Sequence, residues 1–333
     1  MKITLPLRQL PVSSIDRHQL LSDYFSGMEI GIELRHDVVE ISIDWPAIES
    51  FYIDPDLLEG LKWWQEGCKV RDIPFAVRQN PNYQLSLNDN WTLFAWSKWY
   101  AELIKKKPRT DEIIILHVDD HRDCMPPLLF HQDDHQYFDP LAESEVNLAS
   151  PISVENAIKS GSIAVGSFMP LFFHQFSKLQ FRHLLPTYRI PHAYKKGIIK
   201  KSLTNDDLLC QTCVRPSLGF ESNELSSGII YDPTDDLAAF LSEIPTDIPI
   251  LLHVDMDYFN NRFDGDSDWE GHRYIHNPSK ANVLRRVREV FVAIMNQIPK
   301  SQLEDITIAL SPGFYPADLW KESMEIIDEL LND

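Results

Sequence analysis

The chain has 333 residues, of which 44% are apolar and 24% charged, and carries a formal net charge of −19. That length supports a large buried core in one or two domains, and the composition is that of ordinary globular protein rather than a disordered chain. The acidic balance excludes the basic footprint of a nucleic-acid binder; no apolar run reaches bilayer-spanning length, and the N-terminal MKITLPLR lacks a signal-peptide core, so no nucleic acid, no membrane and a cytoplasmic location are expected.

Residues 28–45 alternate apolar and polar on both sides of Arg35, His36 and Asp37, which predicts a half-exposed β-hairpin within an N-terminal extension of residues 1–60. Residues 56–66 place Leu57, Leu58, Leu61 and Trp64 on a short helix. Trp96, Trp99, Tyr100 and Leu103 recur at helical spacing over 91–104. Beyond a polar break, residues 113–118 form an unbroken apolar run, as in a strand buried on both faces of a parallel sheet. The rhythm then repeats, with a helix over 154–160 stopped by Gly161, a strand over 162–169, a helix over 235–241 and a buried strand over 248–254. Asn277 and Pro278 open a helix whose apolar face is Val283, Val287, Val290, Phe291, Ile294 and Ile298; a strand over 306–310 and a helix over 317–331 follow. Such alternation predicts an α/β fold with a mostly parallel sheet and helices on both faces, filling residues 61–333. Residues 177–230, rich in Pro, Lys and Ser and weakly periodic, read as a long insertion of the lid or substrate-loop kind. Cys210 and Cys213 have zinc-knuckle spacing but no second pair, and read as ordinary thiols.

The chemistry lies where two apolar strands end. His117, Asp119, His121 and Asp123 follow one, in HVDDHRD, and His253, Asp255 and Asp257 follow another, in HVDMD. Ligands of α/β sheets bind at the carboxyl ends of strands, and residues two apart in extended chain point the same way, so these side chains converge. Four carboxylates and an imidazole in one pocket repel one another unless cations intervene. An oxygen-rich set with one histidine favours Mn²⁺. His117 and His253, each two residues before a metal aspartate, are read as orienting those carboxylates rather than binding metal. The remaining histidines, His183 among them, are assigned to surface or packing roles.

These motifs resemble those of the arginase–deacetylase superfamily, whose ureohydrolase branch carries DAHxD and SxDxD at two strand ends. More narrowly the chain is similar, over residues 85–320, to the divergent arginase-like family that contains the peptide arginases, through HVDDHRD, VENAIKSGS at 154–162, DMDYF at 255–259 and TIALSPG at 307–313. The resemblance implies a three-layer arginase-like fold and two Mn²⁺ per chain, with Asp119 and Asp255 shared between the metals, His121 and Asp257 completing one site and Asp123 the other. The family's further histidine ligand falls on Asn90, with Asp89 as the alternative. The proton-moving histidine corresponds to His135 or His131. The guanidinium-binding glutamate has no counterpart, leaving Asp264, Asp266 or Asp268 in that role.

The implied activity is hydrolysis of peptidyl arginine to ornithine and urea, within an arginine-containing precursor peptide. Two other readings accompany it: hydrolysis of a free small molecule such as arginine, agmatine or a polyamine amide, and a non-catalytic metal- or peptide-binding protein. The edge of the N-terminal hairpin offers a surface for a peptide strand, or equally a packing or homo-oligomer contact.

Overall fold

The apolar runs of the sequence become the middle of one nine-stranded sheet. The computed structural model describes residues 2–25, 28–44, 53–106, 112–133, 135–189, 195–222, 228–265 and 277–332. At the N-terminus, β1 (Lys2–Pro6), α1 (Ser14–Tyr24), β2 (Glu29–Arg35) and β3 (Val38–Asp44) make a separate small sheet of order β1-β3-β2. β2 and β3 pair antiparallel across a turn at His36 and Asp37, and β1 adds a third strand on the far side of β3. Ser13 caps α1 by accepting a hydrogen bond from the Asp16 amide. The inward face of this unit (Leu21, Phe25, Val39, Ile41) packs on Leu128, Leu141 and Leu208 of the main body.

The body continues with α2 (Leu57–Trp64), β4 (Val77–Gln79), β5 (Gln84–Ser86), α3 (Trp91–Lys106), β6 (Glu112–Val118), the short strands β7 (Phe130–His131), β8 (Tyr137–Asp139) and β9 (Ser144–Val146), α4 (Pro151–Ser160) and α5 (Met169–Gln175). Then come β10 (Lys178–Leu184), β11 (Gly197–Asn205), β12 (Val214–Glu221), β13 (Ile229–Thr234), α6 (Leu237–Leu241), β14 (Ile250–Asp255), α7 (Lys280–Gln297), β15 (Leu303–Ala309) and α8 (Trp320–Asn332). The main sheet runs β12-β11-β13-β10-β6-β14-β15-β5-β4. Pairing is parallel from β13 through β5 and antiparallel at both edges.

Strand alternation divides the core between two faces. Ile114, Leu116 and Val118 of β6 join Leu61 of α2, Val287 and Phe291 of α7 and Ile327 of α8. Ile113 and Ile115 point the other way, to Trp96 of α3, Ile158 of α4 and Phe172 of α5. Helices therefore cover both faces, as the apolar stripe of α7 predicts. Among the described residues no helix is long and apolar enough to cross a membrane.

Three expectations are corrected. Residues 162–169 form turns, and Met169 opens α5, rather than a strand. Gly161 and Gly166 take positive φ (86° and 71°), which breaks extension, and the segment's polar backbone bonds to loops, with Met125 N donating to Gly166 O and Met169 N to Asp123 O. Its apolar character comes instead from Ile163 and Phe168, which are buried. Residues 177–230 are not an irregular insertion, because they supply β10, β11, β12 and the start of β13 to the main sheet. Cys210 and Cys213 are also not free thiols: they form a disulfide in the β11–β12 connection.

Candidate metal centre

Four neighbouring parallel strands deliver the site at their carboxyl ends. β6 and β14 are in register, His117 beside His253 and Val118 beside Val254, so Asp119 emerges next to Asp255. The chain leaves β15 through Leu310 into Ser311, whose hydroxyl donates to Asp255 Oδ2 at 2.5 Å. It leaves β5 into Asp89 and Asn90, and Asp89 Oδ2 accepts the Gly166 amide at 2.8 Å. Asp123 and Ser311 both hold left-handed backbone (φ 54° and 43°), a conformation that non-glycine residues keep only where surroundings impose it.

Local backbone fixes each carboxylate. Asp119 Oδ1 accepts the His121 amide (2.6 Å), Asp255 Oδ1 the Asp257 amide (3.0 Å) and Asp257 Oδ1 the Asp120 amide (3.2 Å). The first two are turn contacts that the Asp-x-His and Asp-x-Asp spacings make on leaving a strand, and the third ties the two strand ends together. Asp89 Oδ1, Asn90 Oδ1, Asp119 Oδ2 and Asp123 Oδ2 are buried and have no hydrogen-bond partner among the described residues. His121, about a third exposed (36%), brings Nδ1 to 3.0 Å from Asp257 Oδ2.

The electrostatics are those of a cation site. Burial, and then the charges of Asp123, Asp257 and Asp255, raise the Asp119 carboxyl well above its ordinary range. Asp123 and Asp255 are raised in the same way, and Asp89 is pushed up to about 8 by burial and by Asp255. Burial opposes the charged form of His121, yet Asp257, Asp264 and Asp120 together hold its imidazole well above the ordinary histidine range. Anions driven toward protonation by one another are groups that a divalent cation would relieve.

Two buried sets bring ligand atoms within 4.8 Å of one another: His117, Asp119, Asp123 and His253, and Asp119, His121 and Asp257. This cluster of His and Asp residues could hold a metal ion. The hydrogen bonds assign the parts. His117 Nε2 lies 2.9 Å from the His121 carbonyl, which only accepts, so Nε2 carries the proton and Nδ1 accepts from His253 Nδ1 at 2.9 Å. His117 then has no lone pair to offer, and burial keeps it neutral by lowering its pKa to about 3. The two rings approach Asp119 Oδ2 at 3.4 Å (His117 Nε2) and 3.8 Å (His253 Nδ1), and His253 Nε2 is buried without a hydrogen-bond partner among the described residues. A third set, Asp120, His121 and Asp264, is already neutralised, because Arg189 grips Asp120 with two hydrogen bonds of 2.6 and 2.7 Å and reaches Asp264 at 3.4 Å.

A cavity of about 820 Å³ opens above the cluster. Asp89, Asp123, Asp255 and Asp257 form its acidic part, and Tyr24, Phe25 and Met28 of the N-terminal unit form part of its wall. The expected ligands Asp119, His121, Asp123, Asp255 and Asp257 are thus brought together. Asn90 lies beside them with Nδ2 bound to the Ile163 carbonyl, and Asp89 is present as well. His131 and His135 are elsewhere. His131 packs edge-on against Tyr137, both histidines are close enough to His174 to influence its charge, and neither lines the cavity. His121 is the histidine on the cavity wall among the described residues. Asp264 contacts His121 Nε2 at 3.8 Å from outside the cavity, while Asp266 and Asp268 lie outside the described residues. Sequence reasoning missed three contributors. They are Ser311, in the TIALSPG segment after β15; Arg189, whose partner lies 69 residues away; and buried His183, which bonds the Asp119 carbonyl at 3.1 Å. Neither the family models nor the curated proteins compared with the chain gave a match, so the chemistry of the site rests on these residues.

Proposed function

We propose that the chain is a dinuclear-manganese hydrolase that converts peptidyl arginine to ornithine with release of urea, in the maturation of an arginine-containing precursor peptide. The observation that carries this reading is the set of buried, unpartnered oxygens on Asp89, Asn90, Asp119 and Asp123 beneath an open cavity. Burying unpaired carboxylates costs several kcal/mol each, which a fold sustains where a proton or a cation compensates, and a cation does so at neutral pH without loss of the charges. Oxygen donors with a single imidazole, His121, suit Mn²⁺. Asp119, central to the cluster, would be shared between two ions; Asp257 and His121 would complete one, and Asp123, with Asp89 or Asn90, the other.

Bound Mn²⁺ supplies Lewis acidity and a water acidic enough to react with a guanidinium near neutral pH. The chain's own groups do the rest. Asp89, Asp255 and Asp257 face the cavity and attract a planar cation toward the reacting position. The Ser311 hydroxyl and the Asp257 amide hold Asp255 in one orientation. His117 and His253, both buried, approach Asp119 and exclude water from that side. Asp264, itself held by Asn261 and Arg189, faces His121 Nε2 and orients the ring.

The test is mass spectrometry of an arginine-containing peptide incubated with the Mn²⁺-loaded protein, alongside a urea assay. Each converted arginine loses the mass of one cyanamide unit and releases one urea. Mn²⁺-loaded, folded protein that leaves peptidyl arginine unchanged would sink the proposal, and rapid turnover of free arginine in that same sample would assign the site to a small molecule.

A further inference from the structure

The cavity has a cationic side as well as an acidic one, and nothing in the metal chemistry uses it. Arg215, on β12, lines the cavity with a side chain only 18% exposed. Its one ion pair is with Asp206, Nε to Oδ2 at 3.7 Å, and it makes no hydrogen bond with any described residue; buried Nε is among the unpartnered atoms. Asp206 is already engaged. Its Oδ1 accepts from the amides of Leu208, Leu209 and Cys210, and its Oδ2 from the Tyr24 hydroxyl. A guanidinium has five N–H donors in a rigid fork, and leaving them unmatched away from water is costly. Arg215 is nevertheless held in place, stacked over the Tyr24 ring at 5.3 Å. Arg122 lines the same cavity but is engaged, its guanidinium 4.4 Å over Phe220 and its Nε donating to the Tyr231 hydroxyl at 3.3 Å. For Arg215, stacking fixes the plane of the guanidinium while leaving its edge to bind, the arrangement that recognises planar oxyanions.

We propose that Arg215 forms a carboxylate-binding subsite, so that the substrate carries a carboxylate at the end remote from the reacting guanidinium. This rests on the hydrolase reading above and narrows its substrate class. A monoanionic carboxylate fits better than a phosphate dianion, because Asp23, Asp89, Asp123, Asp255 and Asp257 share the lining with Arg215. The carboxylate has two chemical sources. It is either the C-terminal carboxylate of the arginine itself or an acidic side chain next to it in a longer peptide.

The experiment measures binding of short peptides to the Mn²⁺-loaded full chain, with ornithine replacing arginine so that no turnover occurs. One pair ends at ornithine as carboxylate or carboxamide, and a second pair carries Glu or Gln after ornithine with an amidated terminus. The acid form of at least one pair should bind about tenfold tighter, the scale of one charge-assisted contact, and the pair that discriminates identifies the source. Arg215→Gln should abolish the preference while retaining affinity for the amide form. Equal binding within both pairs, binding of none of the four, or a preference that survives Arg215→Gln overturns the subsite. The comparison of pairs on the wild-type chain stands even if the variant does not fold. Urea release from the arginine versions separates the two proposals. Urea with equal binding of acid and amide removes the subsite alone, whereas an intact acid preference without urea removes the hydrolase and leaves the subsite.

Discussion

Stripping the divalent cation should make the protein more stable as pH falls from 8 to 6.5, the reverse of a protein held by ion-paired carboxylates. Asp89, Asp119, Asp123, Asp255 and Asp257 are buried together, and each has its carboxyl raised, first by burial and then, for all but Asp257, by carboxylate neighbours. A carboxyl raised in the folded state binds its proton more tightly there than in the unfolded chain. Its stabilising effect is present in full below the unfolded value and is lost as pH rises through the folded one. Asp89 goes from 3.8 to about 8, so most of its loss falls below pH 8. His121, raised by Asp257, adds in the same direction above its unfolded value. His117, His183 and His253, lowered by burial, oppose the trend only below about 6.5, which sets the lower limit of the interval. Each carboxyl that keeps its proton across 1.5 pH units contributes about 2 kcal/mol. Two such groups give about 4 kcal/mol, or roughly 8 °C in Tm at about 2 °C per kcal/mol. The assay is thermal unfolding in a chelator at both pH values, repeated with saturating Mn²⁺. The metal should replace the protons, so its stabilising increment should be larger at pH 8. A metal-free Tm that is flat or falls toward pH 6.5, or an increment from Mn²⁺ that ignores pH, would refute the argument.

Two other outcomes follow from geometry. His131→Ala and His135→Ala should each leave urea release within about threefold of wild type, far short of the 10²-fold loss of a true proton donor, since neither ring lines the cavity; a 10²-fold loss in either, with metal content unchanged, would show that this loop reaches the substrate. Reducing the Cys210–Cys213 disulfide should lower stability by about 2 kcal/mol on loop-closure grounds and loosen the turn carrying Asp206, read as a lower Tm in reductant that a Cys210→Ser, Cys213→Ser double variant reproduces without reductant.

What could be read in advance followed burial on both faces. The runs that became β6 and β14 stand out because neither side of those strands meets water, and the carboxylates follow them directly. β11 and β12 were illegible because they lie at a sheet edge and alternate buried and exposed positions irregularly, so their sequence resembles loop. Residues 162–169 misled for the opposite reason, since a buried turn can be as apolar as a strand, and periodicity cannot separate the two over so few residues. At the site, residues close in sequence were found and residues close only in space were not. Arg189 meets Asp120, and Arg215 meets Asp206 and Tyr24, through folding that no local spacing records.

The order of the main sheet bears on when the centre can come into being during synthesis. β5, which presents Asp89, takes its parallel neighbour from β15, residues that emerge more than two hundred positions later. β14 likewise has to pair with β6, more than a hundred residues earlier, before Asp255 can stand beside Asp119. Until the last quarter of the chain has left the ribosome, the acidic groups are scattered over unfinished strands and remain hydrated, with nothing to force them together. Convergence of the carboxylates and closure of the sheet therefore belong to one late event. A nascent chain arrested before Ser311 would lack both the strand that seats Asp89 and the hydroxyl that steadies Asp255.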